Sequence, residues 1–456
     1  MKKYLLLLLI PLFFLFFYKL SDAPLQSFDE AWYAEIARNI VETKNPLKLI
    51  FNGRVFTDHP PLGYILMSIP TIILGSNEFS VRVVSVLLGI LSIVLVYLIG
   101  SKMNSKFTGI SASLVLLSSM WFMFRARSGN LDIPFLFFEL LTVYLLMHKK
   151  KKFLYLGIAS LAATFLIKTL VGFGLIPVVI YLIYINHKKY KLNVYLKALF
   201  LFLTILLPWY LYNQYLDSEF LYHHFFEVGA RSESNAFSFE AIKNSLFYLS
   251  IGIGKWYKVF LVSIPLFFIN YITYKKNRLN LTILLLLAGG FSIFLVSSRT
   301  EIWHLIPLYP LVALSIGLIP QLIISIPKLN HKIIKFLFLS LVALIAGYQY
   351  TQFSNLIYTN LNGYSDVKDI SIKAGKFDDI YLSETFMPAT VYYSNKNIQL
   401  LFWNKEPYQD LKALLQTNPK SVFIINKDRQ DLLKQDQVNF TILDQNDSYS
   451  IVRKSS

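Results

Sequence analysis

Two acids in the stretch SFDEAWYAEIARNI (27–40) are the first candidates for chemistry in this sequence. Asp29 and Glu30 stand at the start of a predicted helix, where free backbone N–H groups stabilise an ionised carboxylate. Such a carboxylate can accept a proton from a substrate hydroxyl or orient that hydroxyl. The structural alternative is a capping box between Ser27 and Glu30. The helix would then lie with its apolar face in the external interface of the bilayer.

A second acidic pair occurs in RARSGNLDIPFLFFELL (125–141). Asp132 stands just before Pro134 at a predicted helix start, so it is either a helix cap or a functional acid. Glu139 follows seven residues later, on nearly the same helix face and about 10 Å deeper into the membrane. A carboxylate at that depth is costly, and it usually faces a polar interior or a cavity.

Basic and histidine side chains accompany these acids. Asp58 and His59 precede two prolines that rigidify a turn. With His223 and His224 they could surround a divalent cation, but no ligand spacing is diagnostic, and interfacial hydrogen bonding is the alternative. Each cation that falls on the predicted external side could simply snorkel, whereas together they could bind phosphate. These cations are Arg125, Arg127, Lys168, Arg231 and Arg299.

The composition requires a membrane. Of 456 residues, 55% are hydrophobic and only 16% are charged, well below the quarter that is usual in soluble domains. The net charge of +17 comes from short basic clusters between apolar runs, which indicates membrane topology and not nucleic-acid binding. Because the chain has no cysteine, disulfides and thiolate chemistry are excluded.

Hydropathy predicts about eleven membrane spans of roughly 20 residues each. Basic loops fall at every second connection, which places residues 21–79 and the tail after residue 351 outside by the positive-inside rule. A signal peptide ending near Ala23 is the alternative for the first span. The predicted spans are 4–20, 80–100, 107–124, 131–147, 153–169, 171–186, 195–212, 246–273, 279–297, 304–325 and 332–350.

Two segments fit this scheme poorly. Residues 62–75 are too short to cross comfortably, so we expect an interfacial or half-buried helix there. The span at 246–273 is interrupted by GIGKWYK and is the weakest of the eleven.

The tail is charged and predicts a small external α/β domain at residues 351–456, after a transmembrane domain at 1–350. Strands are predicted at 379–384 and 421–427, and helices at 407–416 and 429–435. A hairpin is predicted at 440–454, turning at Asn446-Asp447. We find no catalytic motif in this tail.

An ordered series of segments resembles a known family. The series is FDEAWYAEIAR, DHPP, EFSVRVVSVLLG (78–89), ARSGNLDIPF, a lysine at 168, PWYL (208–211) and HLIPLYPLVAL (304–314). It is similar to the bacterial polyprenyl-phosphate-sugar-dependent glycosyltransferases of the aminoarabinose-to-lipid A and protein O-mannosyltransferase superfamily, which have the GT-C fold. The resemblance covers roughly residues 1–350 and implies a polytopic α-helical membrane enzyme with external interfacial helices.

The resemblance also implies roles for individual residues. Asp29 corresponds to the catalytic carboxylate of the first external loop, with Glu30 beside it, and Asp132 corresponds to the second acidic position. The implied donor-phosphate contacts are Arg127, Lys168, Arg231 and Arg299. The implied acceptor or site-lining residues are Asp58, His59, Tyr33, Glu139 and His304.

Two departures from the family pattern leave the acceptor and any metal open. The lipid A branch often has Glu-Lys before the paired prolines, where this chain has Asp58-His59. It also often has a basic residue before the segment that resembles YLLPLYP, where this chain has Trp303-His304. No cofactor is implied with certainty, and a divalent cation is possible.

The predicted function is transfer of a sugar, with inversion, from a polyprenyl-phosphate donor to a lipid, glycan or protein acceptor. The predicted place is the outer face of the bacterial inner membrane. A transporter or flippase for a lipid-linked or anionic substrate is the main alternative, although the sequence shows no inverted repeat or paired broken helices. A non-catalytic subunit of envelope assembly, whose acids are all helix caps, is the third.

Overall fold

The structure is a computed structural model that describes residues 13–228, 238–275, 278–296, 300–324, 331–359, 364–402 and 404–455. Contacts group the chain into two units, described in turn below. Unit 1 comprises Met1–Tyr18, Thr57–Gly63 and Val83–Ile357, and unit 2 comprises Lys19–Phe56, Tyr64–Arg82 and Tyr358–Ser456. The predicted domain boundary at residue 350 stays a prediction.

Helices dominate the described residues before Tyr364. They are α1 (Asp29–Thr43), α2 (Leu62–Leu74), α3 (Glu78–Met103), α4 (Lys106–Leu117), α5 (Met120–Ala126), α6 (Asp132–Leu146), α7 (Lys151–Phe165), α8 (Thr169–Gly172), α9 (Ile176–His187), α10 (Leu192–Leu216), α11 (Phe220–Tyr222), α12 (Phe239–Ile253), α13 (Trp256–Thr273), α14 (Arg278–Gly290), α15 (Ile293–Val296), α16 (Tyr309–Ile324) and α17 (His331–Thr359). Tighter or wider turns occur at Phe173–Leu175, His223–Glu227 and Ile302–Leu308, and a hairpin joins β1 (Ile50–Phe51) to β2 (Arg54–Val55).

Six stretches of the described residues are long and apolar enough to cross a membrane, so the chain is a multi-pass membrane protein. A seventh is added if α4 and α5, which are bent by 74° at their junction, form one broken span. The predicted count of eleven is not confirmed, because helices such as α6 and α7 have only 15 residues each. The six stretches are Glu78–Met103, Thr169–His187, Leu192–Leu216, Trp256–Thr273, Ile302–Ile323 and His331–Ser354.

The predicted span containing GIGKWYK is wrong as one continuous helix. The chain breaks at Gly254, whose φ of +63° is accessible to glycine at little cost. Gln349 fills the break: its amide donates to the carbonyl oxygens of Ile253 at 3.0 Å and Ser118 at 2.5 Å, and its oxygen accepts the Lys255 N–H at 2.7 Å. One buried glutamine therefore satisfies backbone groups at two helix breaks.

Unit 2 is built on a five-stranded mixed sheet of order β4-β3-β5-β7-β6. The strand and helix predictions at 379–384, 407–416, 421–427 and 429–435 are confirmed, and the predicted hairpin is confirmed as β6 and β7. The sequence analysis missed α18, α19 and β4. The elements are α18 (Ser365–Ala374), β3 (Ile380–Leu382), α19 (Met387–Ser394), β4 (Ile398–Leu400), α20 (Pro407–Thr417), β5 (Val422–Asn426), α21 (Lys427–Gln435), β6 (Phe440–Gln445) and β7 (Tyr449–Lys454).

Helix α1 belongs to unit 2 and packs against α19. Ile36 is fully buried and Ile40 nearly so. The apolar face that we expected in the membrane interface is therefore covered by protein. Arg38 ties the two helices, because its guanidinium donates to the carbonyl oxygen of Tyr392 at 2.8 Å. In contrast, α2 keeps Ile72 and Ile73 largely exposed, as expected of a short interfacial helix.

Candidate functional site

A buried group of charges among the described residues of unit 1 surrounds Asp132, the first residue of α6. Lys168 donates to one carboxylate oxygen at 2.5 Å, and the Arg125 guanidinium donates to the other at 2.5 and 2.9 Å. Asp132 is 4% exposed, so these contacts are shielded from water. The helix-cap alternative for Asp132 is wrong, because the side chain of Asn130 accepts the N–H of Ile133 instead.

Lys168 reaches Asp132 because the chain turns sharply between α7 and α8. Helix α7 ends at Phe165 with Leu166 as its C-cap, Lys168 adopts an extended conformation, and α8 begins at Thr169. The carbonyl oxygen of Leu166 accepts the N–H of Leu62 at 3.0 Å, which attaches the two-proline turn to the same place.

His59 lies in that turn, within electrostatic range of Lys168 and Asp132. Burial and the positive charge of Lys168 lower the pKa of His59 to about 3. The imidazole is therefore neutral at physiological pH and adds no charge to the cluster.

The turn is also held by His224, for which hydrogen bonding was the alternative to metal binding in the sequence analysis. Its Nδ1 lies 2.9 Å from the carbonyl oxygen of Thr57, and its Nε2 lies 2.9 Å from the hydroxyl of Thr169. Burial lowers the pKa of His224, so the ring is neutral, donates through Nδ1 and accepts through Nε2. Thr169 also contacts the hydroxyl of Tyr210 at 2.5 Å. This chain of hydrogen bonds joins the His59 turn to the residue after Lys168.

Asp58 faces His223, with 3.3 Å between its carboxylate and Nε2, while Nδ1 of His223 lies 2.6 Å from Glu227. The described residues nevertheless contain no group of three or more His, Asp or Glu side chains arranged to hold a metal ion. The possible divalent cation stays a prediction.

The turn at Ile302–Leu308 contributes two aromatic rings. Trp303 lies against Arg125, with 5.9 Å from the guanidinium carbon to the ring centre. His304 lies within electrostatic range of Asp132, and its Nδ1 accepts the N–H of Glu301 at 3.1 Å. His304 thus lies near the Asp132 cluster, and its predicted lining role stays a prediction. The sequence analysis considered Arg125 only as one of several cations that could snorkel or bind phosphate together, and its pairing with Asp132, seven residues later in the sequence, was missed.

Two predicted residues, Arg127 and Glu139, have other surroundings. The Arg127 guanidinium donates to the carbonyl oxygens of Leu15, Phe16 and Tyr18 at 2.6–3.1 Å, so it holds the end of the first helical segment. Glu139 is buried in α6, and one of its oxygens has no hydrogen-bond partner among the described residues. Two further predicted residues, Arg231 and Arg299, lie outside the described residues.

The acids of the first loop belong to unit 2, and the capping box predicted for them is wrong. Ser27 makes no capping hydrogen bond. Glu30 instead forms a two-pronged ion pair with Arg82, at 2.7 and 3.0 Å, and accepts the N–H of Gln26. Arg82 also donates to carbonyl oxygens of the chain just before the helix, at residues 20, 23 and 24. Glu30 and Arg82 thus fix the path of the chain into α1.

Asp29 is the first residue of α1 and is only partly buried. Phe28, just before it, has a φ of +69°, which is a strained conformation for a bulky residue. Tyr33, one turn later, is buried edge-on against Tyr64 with ring centres 5.4 Å apart. Asp29 is therefore presented at a strained entry to a firmly packed helix.

Comparison with known proteins finds similarity to glycosyltransferases. A family model described as dolichyl-phosphate-mannose-protein mannosyltransferase matches residues 58–212. The crystal structure of ArnT from Cupriavidus metallidurans in the apo state superposes with a TM-score of 0.77 at 14% identity, covering 99% of this chain and 98% of ArnT. The chain has the GT-C fold. The predicted fold class and the predicted resemblance are confirmed.

Other relatives agree over shorter stretches. An uncharacterized protein of Aquifex aeolicus is 33% identical over 222 residues, 47% of this chain and 44% of the relative. An undecaprenyl phosphate-alpha-4-amino-4-deoxy-L-arabinose arabinosyl transferase of Pseudomonas savastanoi is 33% identical over 116 residues, 25% of this chain and 22% of the relative. The chain thus spans less than half the length of these curated relatives. The Archaeoglobus fulgidus oligosaccharyltransferase superposes with a TM-score of 0.59 at 12% identity, covering 92% of this chain and 69% of that protein.

Proposed function

We propose that this chain is an integral membrane glycosyltransferase that moves a sugar from a polyprenyl-phosphate donor to a lipid, glycan or protein acceptor. We place the reaction at the outer face of the bacterial inner membrane. The observation that carries the proposal is the Lys168 ammonium, held on Asp132 beside a neutral His59.

Lys168 has the chemistry to bind a phosphate. An ammonium has three N–H donors, and Asp132 accepts at least one of them at 2.5 Å. Its side chain is 14% exposed, so it is shielded from water but still accessible. The neutral His59 adds no charge beside the ammonium. A charge-assisted contact to a donor phosphate is therefore the best use of Lys168.

The proposed chemistry is a single displacement. The acceptor oxygen bonds to the anomeric carbon as the bond from that carbon to the phosphate oxygen breaks, which inverts the anomeric centre. The electrons of the broken bond stay on the polyprenyl phosphate, whose developing charge Lys168 stabilises. The proton of an acceptor hydroxyl passes to a carboxylate base.

Asp29 is our proposed base. It lies at a helix start, where an ionised carboxylate is favoured, and after the strained Phe28. Backbone strain concentrates at functional sites, which supports the assignment. The neighbouring Glu30 is better suited to positioning, because Arg82 occupies both of its oxygens.

The remaining assignments follow from their contacts. We propose that Asp132 positions Lys168 and Arg125, and that His304, Asp58 and His59 line the region around it. Arg127 is better suited to holding backbone carbonyl groups than to binding phosphate. The lining roles of Tyr33 and Glu139 and the phosphate roles of Arg231 and Arg299 stay predictions.

The donor class is supported by relatives. Several curated relatives are named undecaprenyl phosphate-alpha-4-amino-4-deoxy-L-arabinose arabinosyl transferases, and ArnT has been crystallised bound to undecaprenyl phosphate. We propose an undecaprenyl-phosphate sugar as donor. Lipid A is our first candidate acceptor, followed by protein and other envelope glycans.

A transporter remains the second candidate, because the bend between α4 and α5 is the kind of broken helix that lines transport paths. The break is filled, however. Ser118 at the bend accepts hydrogen bonds from Gln349 and from the Trp256 indole, at 2.5 and 2.8 Å. Filled breaks favour a static fold element over a substrate path.

The deciding experiment is transfer of a radiolabelled sugar from a defined undecaprenyl-phosphate donor by the purified protein, with extracted envelope lipids as acceptor. We expect labelled lipid from the native chain and strongly reduced label from Lys168→Gln. Lys168→Arg serves as the matched control, because it keeps the positive charge. Uptake of intact donor into proteoliposomes without transfer would instead identify a transporter.

The proposed location has a separate test. A reporter that is active only outside the cytoplasm should be active when it is fused after Ser456. Activity of a cytoplasmic reporter at that position would overturn the orientation.

A further inference from the structure

Several lysines lie where three membrane-spanning stretches meet the water. Glu78–Met103 and Thr169–His187 end here, and Leu192–Leu216 begins here. We define the lysine collar as Lys102, Lys149, Lys150, Lys188, Lys189 and Lys191, all of which are exposed. They come from three basic loops, at residues 101–106, 148–152 and 187–191, which the positive-inside rule predicts to be cytoplasmic.

Direct contacts bring these loops together. The hydroxyl of Tyr190 donates to the carbonyl oxygen of Lys149 at 2.8 Å, and the amide of Asn186 donates to that of Leu146 at 3.0 Å. The charges of Lys102 and Lys149 are close enough to repel each other. The collar is therefore one surface assembled from separate parts of the chain.

No acid balances this charge nearby in the sequence. Residues 140–216 contain no Asp or Glu, and residues 79–131 contain none either. Among the described residues, no collar lysine forms an ion pair with a carboxylate of this chain. Like charges held together without a counter-charge favour an anion from outside the protein.

The position of the collar identifies the anion. Lysines at the ends of membrane spans lie at the level of lipid headgroups. Lys188 and Lys189 lie over the rings of Tyr184 and Tyr190, at 5.5 and 5.6 Å, and tyrosine rings favour that same level. Charge, aromatic rings and depth all suit a phospholipid headgroup.

We propose that the lysine collar binds the phosphate headgroup of an anionic phospholipid in the leaflet it faces. This role is separate from sugar transfer, because the collar shares no residue with the Asp132 cluster or with the Asp29 helix. Each lysine near an anionic headgroup contributes a factor of about five to binding.

The test uses the full chain in nanodiscs made of equal parts phosphatidylglycerol and phosphatidylcholine with identical acyl chains. Lipids that stay bound to the released protein are counted by native mass spectrometry. We expect the native chain to retain phosphatidylglycerol preferentially. In the double variant Lys149→Gln/Lys188→Gln, the preference for phosphatidylglycerol should be at least about tenfold weaker.

Two controls make the result specific. Lys149→Arg/Lys188→Arg keeps the charge and should keep the preference. Lys405→Gln/Lys420→Gln removes two exposed lysines from unit 2 and should also leave the preference unchanged.

Three outcomes would overturn the proposal. Unchanged phosphatidylglycerol retention in the double glutamine variant would reduce the lysines to a role in topology. An equal loss in the Lys405→Gln/Lys420→Gln control would show a net-charge effect. Inorganic phosphate that displaces phosphatidylglycerol from the native chain would identify a free-anion site instead of a lipid site.

Discussion

Asp132 and Asp29 are both acids at the first residue of a helix, yet their surroundings differ. Asp132 is buried in unit 1, with Lys168 on one oxygen and Arg125 on the other. Asp29 is partly buried in unit 2, and its neighbour Glu30 forms an ion pair with the guanidinium of Arg82. The same sequence pattern thus occurs in two different surroundings.

The difference separates two kinds of work. A carboxylate whose oxygens are both held by cations is a poor proton acceptor, but it orients those cations well. Asp132 therefore suits positioning, and Asp29 stays our proposed base. Two other acids of the first loop also contact arginines, because Glu30 pairs with Arg82 and Glu35 pairs with Arg38.

The largest expected effect is on stability in unit 1. Asp132→Asn leaves Lys168 and Arg125 buried without their shared carboxylate, which should lower the free energy of unfolding by about 3–5 kcal/mol. Thermal unfolding in detergent measures the change. Asp29→Asn is the matched control at the other helix start and should barely change the melting temperature. Equal melting temperatures for the two variants would contradict the contrast drawn here.

The next prediction concerns the rate of sugar transfer, for which we expect the larger effect at Asp29. Asp29→Asn keeps the size of the side chain and removes its charge, so it should lower sugar transfer at least about a hundredfold in protein that stays folded. Initial rates with saturating donor and acceptor provide the measurement. Normal turnover by folded Asp29→Asn protein would make this acid a structural element of the helix start.

Much of the fold was predictable because it depends on local patterns. The strands at Ile380–Leu382 and Val422–Asn426 are short apolar runs, and the final hairpin has a clear turn. The missed strand, Ile398–Leu400, has only three residues, and the side chain of Asn52 bonds to both backbone groups of Ile398. No local pattern reveals a pairing between residues about 346 positions apart.

The site was predictable only in part. The family resemblance implied roles for Asp132 and Lys168, and the structure brings these two side chains into contact. The role of Arg82 was missed because its partner Glu30 lies 52 residues away. The span count of eleven is not confirmed, because hydropathy does not distinguish a helix of 15 residues from a full crossing when its flanks are also apolar.

A third prediction compares two cations of unit 1. Lys168→Ala should raise the dissociation constant of an undecaprenyl-phosphate analogue about ten- to a hundredfold, because a charge-assisted contact is lost. Arg127→Ala should instead lower the melting temperature with little change in affinity, since its guanidinium bonds to backbone carbonyl groups. Binding in nanodiscs beside a melting curve measures both. Equal loss of affinity in the two variants would return Arg127 to the phosphate site.

A fourth prediction concerns Glu35, the other paired acid of α1. Burial raises its pKa from 4.5 to about 7, even though Arg38 and Asn39 act in the opposite direction. The folded state therefore holds a proton that the unfolded state releases, and stability should fall as pH rises from about 4.5 to 7. In Glu35→Gln, the fall in the free energy of unfolding over this pH range should be smaller by about 1–3 kcal/mol. Melting curves across that range test it, and an unchanged slope would refute it.

The smallest effect tests how the Asp29 region is held. The Tyr393 hydroxyl accepts the N–H of Leu25 at 2.6 Å and donates to Glu78 at 2.9 Å, so α19 contacts both ends of the first loop. Tyr393→Phe removes only these two hydrogen bonds and should cost about 0.5–1.5 kcal/mol of stability. Hydrogen exchange should rise in the chain around Leu25, while the Asp132 region stays protected.

The matched control for Tyr393→Phe is Tyr408→Phe, which removes an exposed hydroxyl bonded to Asp436 within the same unit. Tyr408→Phe should leave exchange around Leu25 unchanged. If both variants loosened Leu25 equally, the effect would be a general loss of stability in unit 2. A specific rise with Tyr393→Phe would instead show that the sheet-bearing part of unit 2 supports the Asp29 helix, which gives a role to a tail that carries no catalytic motif.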